Sequence, residues 1–307
     1  MSKTAFVFPG QGSQYPGMGK DLVENFSVAR QTMEEANDAL GSSLSRLCFE
    51  GPEEELKLTA NTQPAILAVS VAALRVVASE TGLTADYMAG HSLGEYSALV
   101  AAGGIVFSDA VRTVRARGTF MQEAVPVGVG AMAAILGVEP DILSGICAEA
   151  AQGEVVSPAN FNSPGQIVIA GHAGAVNRAI EIAKSRGYRK AMLLPVSAPF
   201  HCTLMAPAAE RLAATLASVS VSPLNTPVVT NVEAKPNSDE GRVKELLVNQ
   251  VCAPVLWEGS VTAMKELGVG CFVEIGPGKV LSGLVKRISK DVETRNIEDA
   301  ATLKGLC

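Results

Sequence analysis

The sequence has little charge for its length. Charged residues make up only 18% of its 307 residues, whereas 48% are hydrophobic and the mean hydropathy is +0.25. A disordered chain shows the reverse, with low hydrophobicity and a high net charge. The net charge of −6 and a pI of about 5.3 also argue against a broad basic surface for nucleic acid. These values predict a globular chain with a sizeable core, as one large domain or two ordinary ones.

Patterns for metal sites, disulfide scaffolds and membrane segments are missing as well. The sequence contains no H-E-x-x-H motif and no Cys/His cluster, so no metal site is expected. Its six cysteines are scattered without a C-x-x-C pair, which favours free thiols in a reducing compartment. The N-terminus has no long apolar region typical of a secretory signal. The most apolar stretch, residues 65–78, is shorter than the roughly 20 residues of a bilayer span, so we expect a cytoplasmic protein without a membrane partner.

Alternation of strands, turns and helices in the first third of the chain predicts an α/β fold with a largely parallel sheet. A short apolar strand is predicted at residues 4–8, and a second extended segment at residues 86–89. Between them, an apolar helix is predicted at residues 65–79, with Pro64 near its first turn. The helix after the second strand is predicted to end at Gly103-Gly104, because glycine favours a helix C-terminus.

The middle of the chain shows a different order of elements. We predict strands at residues 130–136, 155–160, 166–170 and 189–196, and helices at residues 140–151 and 173–186. The order βαββαβ is typical of a ferredoxin-like unit. We therefore expect a ferredoxin-like subdomain at residues 127–197, inserted into a large α/β-hydrolase-like catalytic subdomain of residues 1–126 and 198–307. Later predictions are strands at residues 226–230 and 269–275, followed by a last helix from about Gly278.

The segment Gly90-His91-Ser92-Leu93-Gly94 matches the G-x-S-x-G pattern of a nucleophile elbow. In an elbow the serine lies on a sharp strand-to-helix turn, where neighbours without a Cβ atom avoid clashes. The backbone N–H of Leu93 would then lie at a helix N-terminus and could donate to an oxyanion. A tight turn of small residues without function gives the same pattern by chance. Because this segment follows an extended stretch and opens a helix, Ser92 is the candidate nucleophile.

A serine hydroxyl needs a base, and the chain has only three histidines. His91 adjoins Ser92, and neighbours at a turn usually point apart, which favours a packing role. His172 follows a strand of the predicted insert, which favours a turn role. His201 lies at the predicted junction of the two subdomains, where a cleft would bind a ligand, so it is the favoured base. No acidic residue lies immediately around His201, so something other than a carboxylate is expected to orient it.

Arg117 lies on the apolar face of the helix predicted at residues 110–125, whereas Arg112 and Arg115 lie outside that face. An unpaired buried charge is costly, so Arg117 needs an anionic partner. The partner is either a core carboxylate of this chain or a substrate carboxylate gripped by two hydrogen bonds. Both interpretations remain open at this point.

The glycine-rich loop at residues 10–19 does not fit the phosphate-binding motifs. It lacks the third glycine of a dinucleotide fingerprint, and it also lacks the G-x-x-x-x-G-K-[ST] pattern. A backbone loop beside the candidate serine is the better prediction.

Six segments in order closely resemble those of the malonyl-CoA:acyl carrier protein transacylases, the acyltransferases of fatty-acid synthesis. They are Phe8-Pro9-Gly10-Gln11-Gly12-Ser13-Gln14, Asn61-Thr62-Gln63-Pro64-Ala65, Gly90-His91-Ser92-Leu93-Gly94-Glu95-Tyr96, Arg115-Ala116-Arg117-Gly118, Ser197-Ala198-Pro199-Phe200-His201 and Glu274-Ile275-Gly276-Pro277-Gly278. The resemblance covers nearly the whole chain. It implies ping-pong transfer of malonyl from malonyl-CoA to the phosphopantetheine thiol of acyl carrier protein through a malonyl-serine, with no permanently bound cofactor.

The resemblance also implies roles for individual residues. Ser92 would be the nucleophile and His201 its base. The backbone N–H groups of Gln11 and Leu93 would form the oxyanion hole. The main-chain carbonyl of Gln250 would orient the histidine in place of an acid.

Three further residues are expected in the substrate site on the same ground. Arg117 would bind the malonyl carboxylate, with Gln63 nearby. In related domains a bulky residue before the histidine accompanies malonyl rather than methylmalonyl units, and Phe200 fits malonyl.

Carrier docking needs a local basic patch, since carrier proteins are typically acidic and this chain is acidic overall. The candidates are Lys184, Arg186, Arg189, Lys190, Lys286 and Arg287. A solvated surface without a partner is the alternative for each of them. The chain is expected to be a monomer.

Other functions fit parts of the same pattern. A serine thioesterase or hydrolase would use the same elbow and release free malonate, but it gives no reason for an inward Arg117. An acyltransferase of a polyketide pathway would use the same chemistry. A non-catalytic assembly domain would use the serine turn for structure alone.

Overall fold

A six-stranded sheet and a separate four-stranded sheet organise the chain in the computed structural model, which describes residues 2–196 and 198–305. The strands are β1 (Lys3–Phe8), β2 (Tyr87–Gly90), β3 (Gly130–Leu136), β4 (Val156–Ser163), β5 (Gln166–His172), β6 (Ala191–Leu193), β7 (Val228–Val229), β8 (Pro236–Asn237), β9 (Val269–Ile275) and β10 (Glu293–Ile297). The predicted α/β fold with a largely parallel sheet is confirmed.

Helices flank both sheets. They are α1 (Lys20–Asn25), α2 (Ser27–Leu40), α3 (Leu44–Glu50), α4 (Glu53–Leu56), α5 (Thr59–Glu80), α6 (Gly94–Ala101), α7 (Phe107–Glu123), α8 (Pro140–Ala151), α9 (Ala173–Ser185), α10 (Ala206–Ala217), α11 (Glu240–Cys252), α12 (Trp257–Glu266), α13 (Val280–Ile288) and α14 (Ala300–Lys304). A short 3₁₀ helix, Thr203–Met205, precedes α10.

The larger sheet has the order β10-β9-β1-β2-β7-β8 and is parallel except for the last pair. Its central strand β1 is buried on both faces, as expected for a parallel strand covered by helices. Phe6 and Phe8 pack into one core, while Ala5 and Val7 pack into another. Because Phe8 pairs with Gly90, the loops after β1 and β2 leave the sheet side by side.

The smaller sheet has the order β4-β5-β3-β6 and is antiparallel throughout. Its elements follow one another along the chain in the predicted βαββαβ order. Side chains of β3 alternate between two cores, since Ala133 and Ile135 pack with α8 and α9, whereas Met132 packs into the core of the larger sheet. One face of the smaller sheet is therefore turned toward the rest of the molecule.

The helix α5 has the length and apolar composition of a membrane span, yet 78% of its most apolar window is buried inside the protein. Every residue from Thr62 to Ala73 is buried, so α5 is a core helix. The prediction that it begins near residue 65 was wrong, because it begins at Thr59 and contains Pro64. Proline lacks an N–H, and only the hydrogen bond to the carbonyl four residues earlier is lost near the start of the helix.

Other boundaries also differ from the predictions. The strand predicted at residues 226–230 is only Val228–Val229, and the one predicted at residues 155–160 is Val156–Ser163. The helix from about Gly278 is not the last, since β10 and α14 follow α13. The strand β10 has the polar sequence Glu-Thr-Arg-Asn-Ile at the edge of the sheet, so its hydrophobic pattern is too weak to indicate a strand. The strand predicted at residues 189–196 is only Ala191–Leu193, because β6 is a short edge strand with one neighbour.

Five cysteines of the described chain are free thiols. Two residues of the sequence analysis lie outside the described residues. They are Ser197, the first residue of the segment that ends at His201, and Cys307, the sixth cysteine.

Candidate active site

Ser92 lies on a kink between β2 and α6. Its φ is +50°, in the left-handed region that non-glycine residues rarely adopt. A Cβ atom on Gly90 would lie 2.0 Å from the backbone of Gly94, and one on Gly94 would lie 2.1 Å from the carbonyl oxygen of Phe8. The turn can therefore form only with glycine at both positions, which is the steric reason for the motif.

The loop after β1 runs directly against this kink. A Cβ atom on Gly10 would lie 2.4 Å from the carbonyl oxygen of His91, so the two backbones touch. This contact brings Gln11 beside Ser92 and Leu93 at the wall of one cavity. In the described chain neither the Gln11 nor the Leu93 backbone N–H donates a hydrogen bond. Both donors are therefore available to an oxygen bound at Ser92.

His201 is hydrogen-bonded on both ring nitrogens. Its Nε2 lies 2.8 Å from Ser92 Oγ, and its Nδ1 lies 2.8 Å from the backbone oxygen of Gln250. A carbonyl oxygen only accepts, so Nδ1 carries the proton and Nε2 accepts from the serine hydroxyl. Burial, and after it the charge of Arg117, lowers the pKa of His201 to about 3. The imidazole is neutral and correctly oriented to take a proton.

Arg117 is only 1% exposed and points at the same serine. Its Nη2 donates to Ser92 Oγ at 3.1 Å and to Gln250 Oε1 at 2.8 Å, and its Nη1 donates to Gln63 Oε1 at 2.8 Å. The guanidinium also lies 5.6 Å from the centroid of the Tyr96 ring. Among the described residues no carboxylate forms an ion pair with it, so the geometry does not support the internal salt bridge.

These residues surround a cavity of about 180 Å³ between the two sheets. Met132 and Val168 line it from the smaller sheet, and Phe200 lines it from the segment before His201. The wall thus combines apolar side chains with a similar number of polar ones, and the polar groups include Ser92, His201 and Arg117.

The two other histidines have partners of their own. His91 lines the cavity, but its Nε2 is 2.8 Å from Asn162 Oδ1. His172 lies at the end of β5, where its Nδ1 accepts from the Val155 N–H at 2.9 Å.

The basic candidates for docking lie outside the cavity wall. Arg189 and Lys190 are exposed just before β6, and Lys286 and Arg287 are exposed near the end of α13. They are therefore not part of the chemistry at Ser92.

Sequence reasoning missed one buried amide that shapes the kink. Asn231 Oδ1 accepts from the Ser92 N–H at 2.6 Å, and its Nδ2 donates to the Gly90 carbonyl at 2.7 Å. Asn231 follows β7, far from the motif in sequence, and nothing in its local pattern indicates this contact.

In the part of the chain that is described, no group of acidic, histidine or cysteine side chains is arranged to hold a metal ion.

Comparisons with known proteins agree over the full length. A family described as acyl transferase domain matches residues 5–305. The malonyl CoA-acyl carrier protein transacylase of Bacillus subtilis (strain 168) is 50% identical over 305 residues, which cover 99% of this chain and 96% of that protein. The solved acyl carrier protein S-malonyltransferase of Vibrio cholerae superposes with a TM-score of 0.97 at 50% identity, covering 100% of both chains.

A further solved relative was determined as a complex. It is a malonyl-transacylase bound to the holo form of its type II polyketide synthase acyl carrier protein. It superposes with a TM-score of 0.96 at 50% identity, covering 99% of this chain and 98% of that chain.

The low pKa of His201 predicts an unusual pH profile for Ser92. The base form is neutral, and a lowered pKa keeps it neutral as the pH falls. We expect the rate of Ser92 labelling by a fluorophosphonate to stay nearly level from about pH 8 to about pH 5, instead of falling about tenfold per unit below the ordinary value of roughly 6.5. His201→Gln is the control, with slow labelling at every pH. A rate that halves near the ordinary histidine value, with circular dichroism unchanged, would contradict this.

Proposed function

This chain belongs to the acyl transferase domain family, and from that premise we propose that it transfers the malonyl group of malonyl-CoA to the phosphopantetheine thiol of acyl carrier protein. The product is the elongation unit for fatty-acid synthesis. The observation that carries the chemistry is the 2.8 Å hydrogen bond between Ser92 Oγ and His201 Nε2. The same Ser92 Oγ lies 3.1 Å from Nη2 of the buried Arg117.

The first half of the reaction forms an ester on Ser92. His201 Nε2 takes the hydroxyl proton while Ser92 Oγ attacks the thioester carbonyl of malonyl-CoA. The carbonyl oxygen becomes an oxyanion and accepts from the Gln11 and Leu93 N–H groups, which have no other partner in the described chain. The tetrahedral intermediate then expels coenzyme A, whose sulfur takes the proton from His201. Malonyl-serine remains.

The second half repeats these steps with a new nucleophile. The phosphopantetheine thiol of the carrier gives its proton to His201, and its sulfur attacks the ester carbonyl of malonyl-serine. The same two backbone donors stabilise the second oxyanion. The proton returns from His201 to Ser92 Oγ as the malonyl thioester of the carrier leaves, so the free enzyme is regenerated.

Arg117 selects an acyl group that bears a carboxylate. Its guanidinium is buried among neutral acceptors and has no contacting anion in the described chain. A malonyl carboxylate would supply that anion, whereas an acetyl group would leave the charge unpaired and desolvated. Phe200 closes the cavity beside His201 and favours the unbranched malonyl unit over a bulkier one.

The finer architecture follows the same proposal. A ferredoxin-like subdomain comprises residues 127–197, which contain the four-stranded sheet, α8 and α9. It is inserted into the catalytic α/β-hydrolase-like subdomain, which comprises residues 1–126 and 198–307. Support comes from the separate core that β3, α8 and α9 share. The enzyme acts as a cytoplasmic monomer, and it needs no bound cofactor because Ser92 and His201 carry the transfer.

The carrier docks on a basic end of the smaller sheet. The Leu136 N–H donates to the Lys190 carbonyl, Leu136 pairs with Gln166, and Arg287 donates to the Gln166 side chain. Lys190 and Arg287 therefore lie at the same end of that sheet, and Arg189 is adjacent. Leu194 and Val196, which line the cavity, follow the opposite end of β6, so the length of this short strand separates the basic end from the site that a phosphopantetheine arm must reach.

A polyketide carrier is a second candidate acceptor. The observation in its favour is the solved complex of a 50% identical malonyl-transacylase with a type II polyketide synthase carrier. The chemistry at Ser92 is the same for either carrier, so the choice depends on the docking surface.

The acyl-enzyme is the direct test of the proposed function. Incubation with malonyl-CoA is expected to add one malonyl mass to the peptide that contains Ser92, and holo carrier protein is expected to remove it as malonyl-carrier. Ser92→Ala is expected to show no adduct and no transfer, since among the described residues Ser92 has the only hydroxyl bonded to His201. The control is Ser97→Ala, which removes another buried serine hydroxyl of α6. This variant should still be acylated at Ser92. An adduct on another residue would contradict the assignment of Ser92. Free malonate released as fast as transfer would contradict the proposal and favour a hydrolase.

Removal of Arg117 tests acyl selectivity. We expect Arg117→Ala to lower kcat/KM for malonyl-CoA by about a hundredfold or more, because a buried charged hydrogen-bond partner is lost, and to lower that for acetyl-CoA far less. Arg115→Ala is the matched control, since Arg115 lies on the same helix, is partly exposed and contacts Asn61 instead of Ser92. Equal losses for both acyl groups would mean that Arg117 has a structural role.

Charge reversal tests the docking surface. Arg189→Glu with Lys190→Glu is expected to raise the KM for carrier protein about tenfold at low salt, because opposite charges steer such encounters, while acylation by malonyl-CoA stays unchanged. The control reverses Lys184 and Arg186, two of the candidates from the sequence that we leave out of the proposed interface because they already pair with Glu181 and Glu149. An unchanged carrier KM, or an equal rise in the control, would remove Arg189 and Lys190 from the interface.

A further inference from the structure

Glu95 is a buried carboxylate that no step of the proposed reaction uses. It lies in the first turn of α6, three residues after Ser92, and is only 2% exposed. Its Oε2 accepts from the Asn231 N–H at 3.0 Å and from Gln250 Nε2 at 2.8 Å. Burying a carboxylate without a cation in contact is costly, so the presence of an acidic side chain at this buried position calls for an explanation.

The side-chain amide of Gln250 connects this carboxylate to Arg117. Gln250 Oε1 accepts from Arg117 Nη2 at 2.8 Å, while Nε2 donates to Glu95 and, at 3.0 Å, to the backbone oxygen of Ser92. A guanidinium only donates and a backbone carbonyl only accepts. If the amide were flipped, its NH₂ would meet the guanidinium and its oxygen would meet two acceptors. The contacts therefore allow only one orientation.

This orientation does not depend on whether Glu95 is ionised. Burial raises the pKa of Glu95 to about 7, against the effect of its hydrogen bonds and of Arg117. Both donors reach the same oxygen, Oε2, so a proton on Glu95 would reside on Oε1. What Glu95 supplies to Gln250 is thus an accepting oxygen at a fixed place rather than a charge.

We propose that Glu95 is a positioning residue for Arg117: its Oε2, together with the Ser92 backbone oxygen, holds the Gln250 amide, the amide oxygen holds the guanidinium beside Ser92, and this chain of contacts sets the preference for a carboxylate-bearing acyl group. The inference rests on the proposed function and assigns a structural origin to its selectivity. Glu95 itself touches neither substrate nor the reacting atoms.

The contacts of Arg117 indicate what is lost without Glu95. Gln63 holds Nη1, and Gln250 is the only side-chain amide on Nη2 in the described chain. If the Gln250 amide turned, Nη2 would keep only Ser92 Oγ, which His201 also uses. The guanidinium would then lose its fixed place, while the hydrogen bonds of His201 to Ser92 Oγ and to the Gln250 backbone oxygen do not involve the Glu95 side chain.

Two substitutions separate an accepting oxygen from a negative charge. Glu95→Met keeps a side chain of similar length and removes the acceptor. Glu95→Gln removes the charge but can offer its oxygen to the same two donors. Transfer to holo carrier protein is measured for both variants with malonyl-CoA and with acetyl-CoA.

We expect Glu95→Met to lower kcat/KM for malonyl-CoA by about tenfold or more, mainly through KM, in line with the loss of one hydrogen bond to a charged group. For acetyl-CoA we expect a change of less than about threefold, since no carboxylate is bound. Glu95→Gln is expected to keep the wild-type ratio of malonyl to acetyl transfer. An unchanged ratio in Glu95→Met, or an equal loss in Glu95→Gln, would overturn the inference.

A second readout separates this role from support of the kink through Asn231. Fluorophosphonate labelling of Ser92 reports on the kink and on His201 without a substrate carboxylate, and we expect it to be unchanged in Glu95→Met. If labelling falls as much as malonyl transfer, Glu95 holds the kink and the inference is wrong. If Glu95→Met does not fold, Glu95→Asp replaces it, because aspartate places its carboxylate one methylene farther from Gln250. The same selective loss of malonyl transfer is then expected for Glu95→Asp.

A double variant tests the route through Gln250. Gln250→Met removes the amide and keeps the backbone carbonyl that binds His201, so it should show the same selective loss of malonyl transfer. Adding Glu95→Met should then cost little more, because both changes break one chain of contacts. Fully additive losses would overturn the inference. If the wild-type protein transfers no malonyl, the proposed function fails instead.

Discussion

The structure depends on keeping one positive charge buried beside a serine. Arg117 lies 3.1 Å from Ser92 Oγ, and the acceptors that hold it are the neutral amides of Gln63 and Gln250. A carboxylate in direct contact would satisfy the guanidinium permanently, and a substrate carboxylate would gain little by replacing it. Neutral acceptors keep the cation in place and leave its charge available. The same charge adds to the effect of burial in lowering the pKa of His201.

Holding that charge requires contributions from distant parts of the chain. Ser92 comes from a kink after β2, Arg117 from α7, Gln63 from α5 and Gln250 from α11. The kink is possible because Gly90 and Gly94 leave no Cβ atom against the neighbouring backbone. The smaller sheet then forms the opposite wall of the cavity, with Met132 and Val168 beside two asparagines of β4. Packing and chemistry are therefore parts of one arrangement.

Local patterns in the sequence explain which parts could be predicted. The need for Gly90 follows from sterics inside the motif, whereas Gly94 is needed because Phe8 of β1 approaches it. The inward side of Arg117 follows from helical periodicity on α7. The elements of the smaller sheet were found because hydrophobic alternation and turns mark them. The predicted start of α5 was wrong because proline at the start of a helix and proline within its first two turns look alike in sequence. Asn231 and Glu95 act through contacts between residues far apart in the chain, and no local pattern reveals such contacts. The roles of the site residues stay predictions.

The orientation of His201 by a peptide carbonyl has a consequence for which nucleophile can accept the acyl group. A carbonyl carries no formal negative charge to stabilise an imidazolium, and burial already disfavours that ion, so His201 is a weak base. An alkyl thiol, with a pKa of roughly 8.5, needs little help to lose its proton, whereas water, with a pKa of about 15.7, needs a great deal. A base this weak takes a proton from water far more slowly than from a thiol, so we expect an ester on Ser92 to pass to sulfur faster than it is hydrolysed.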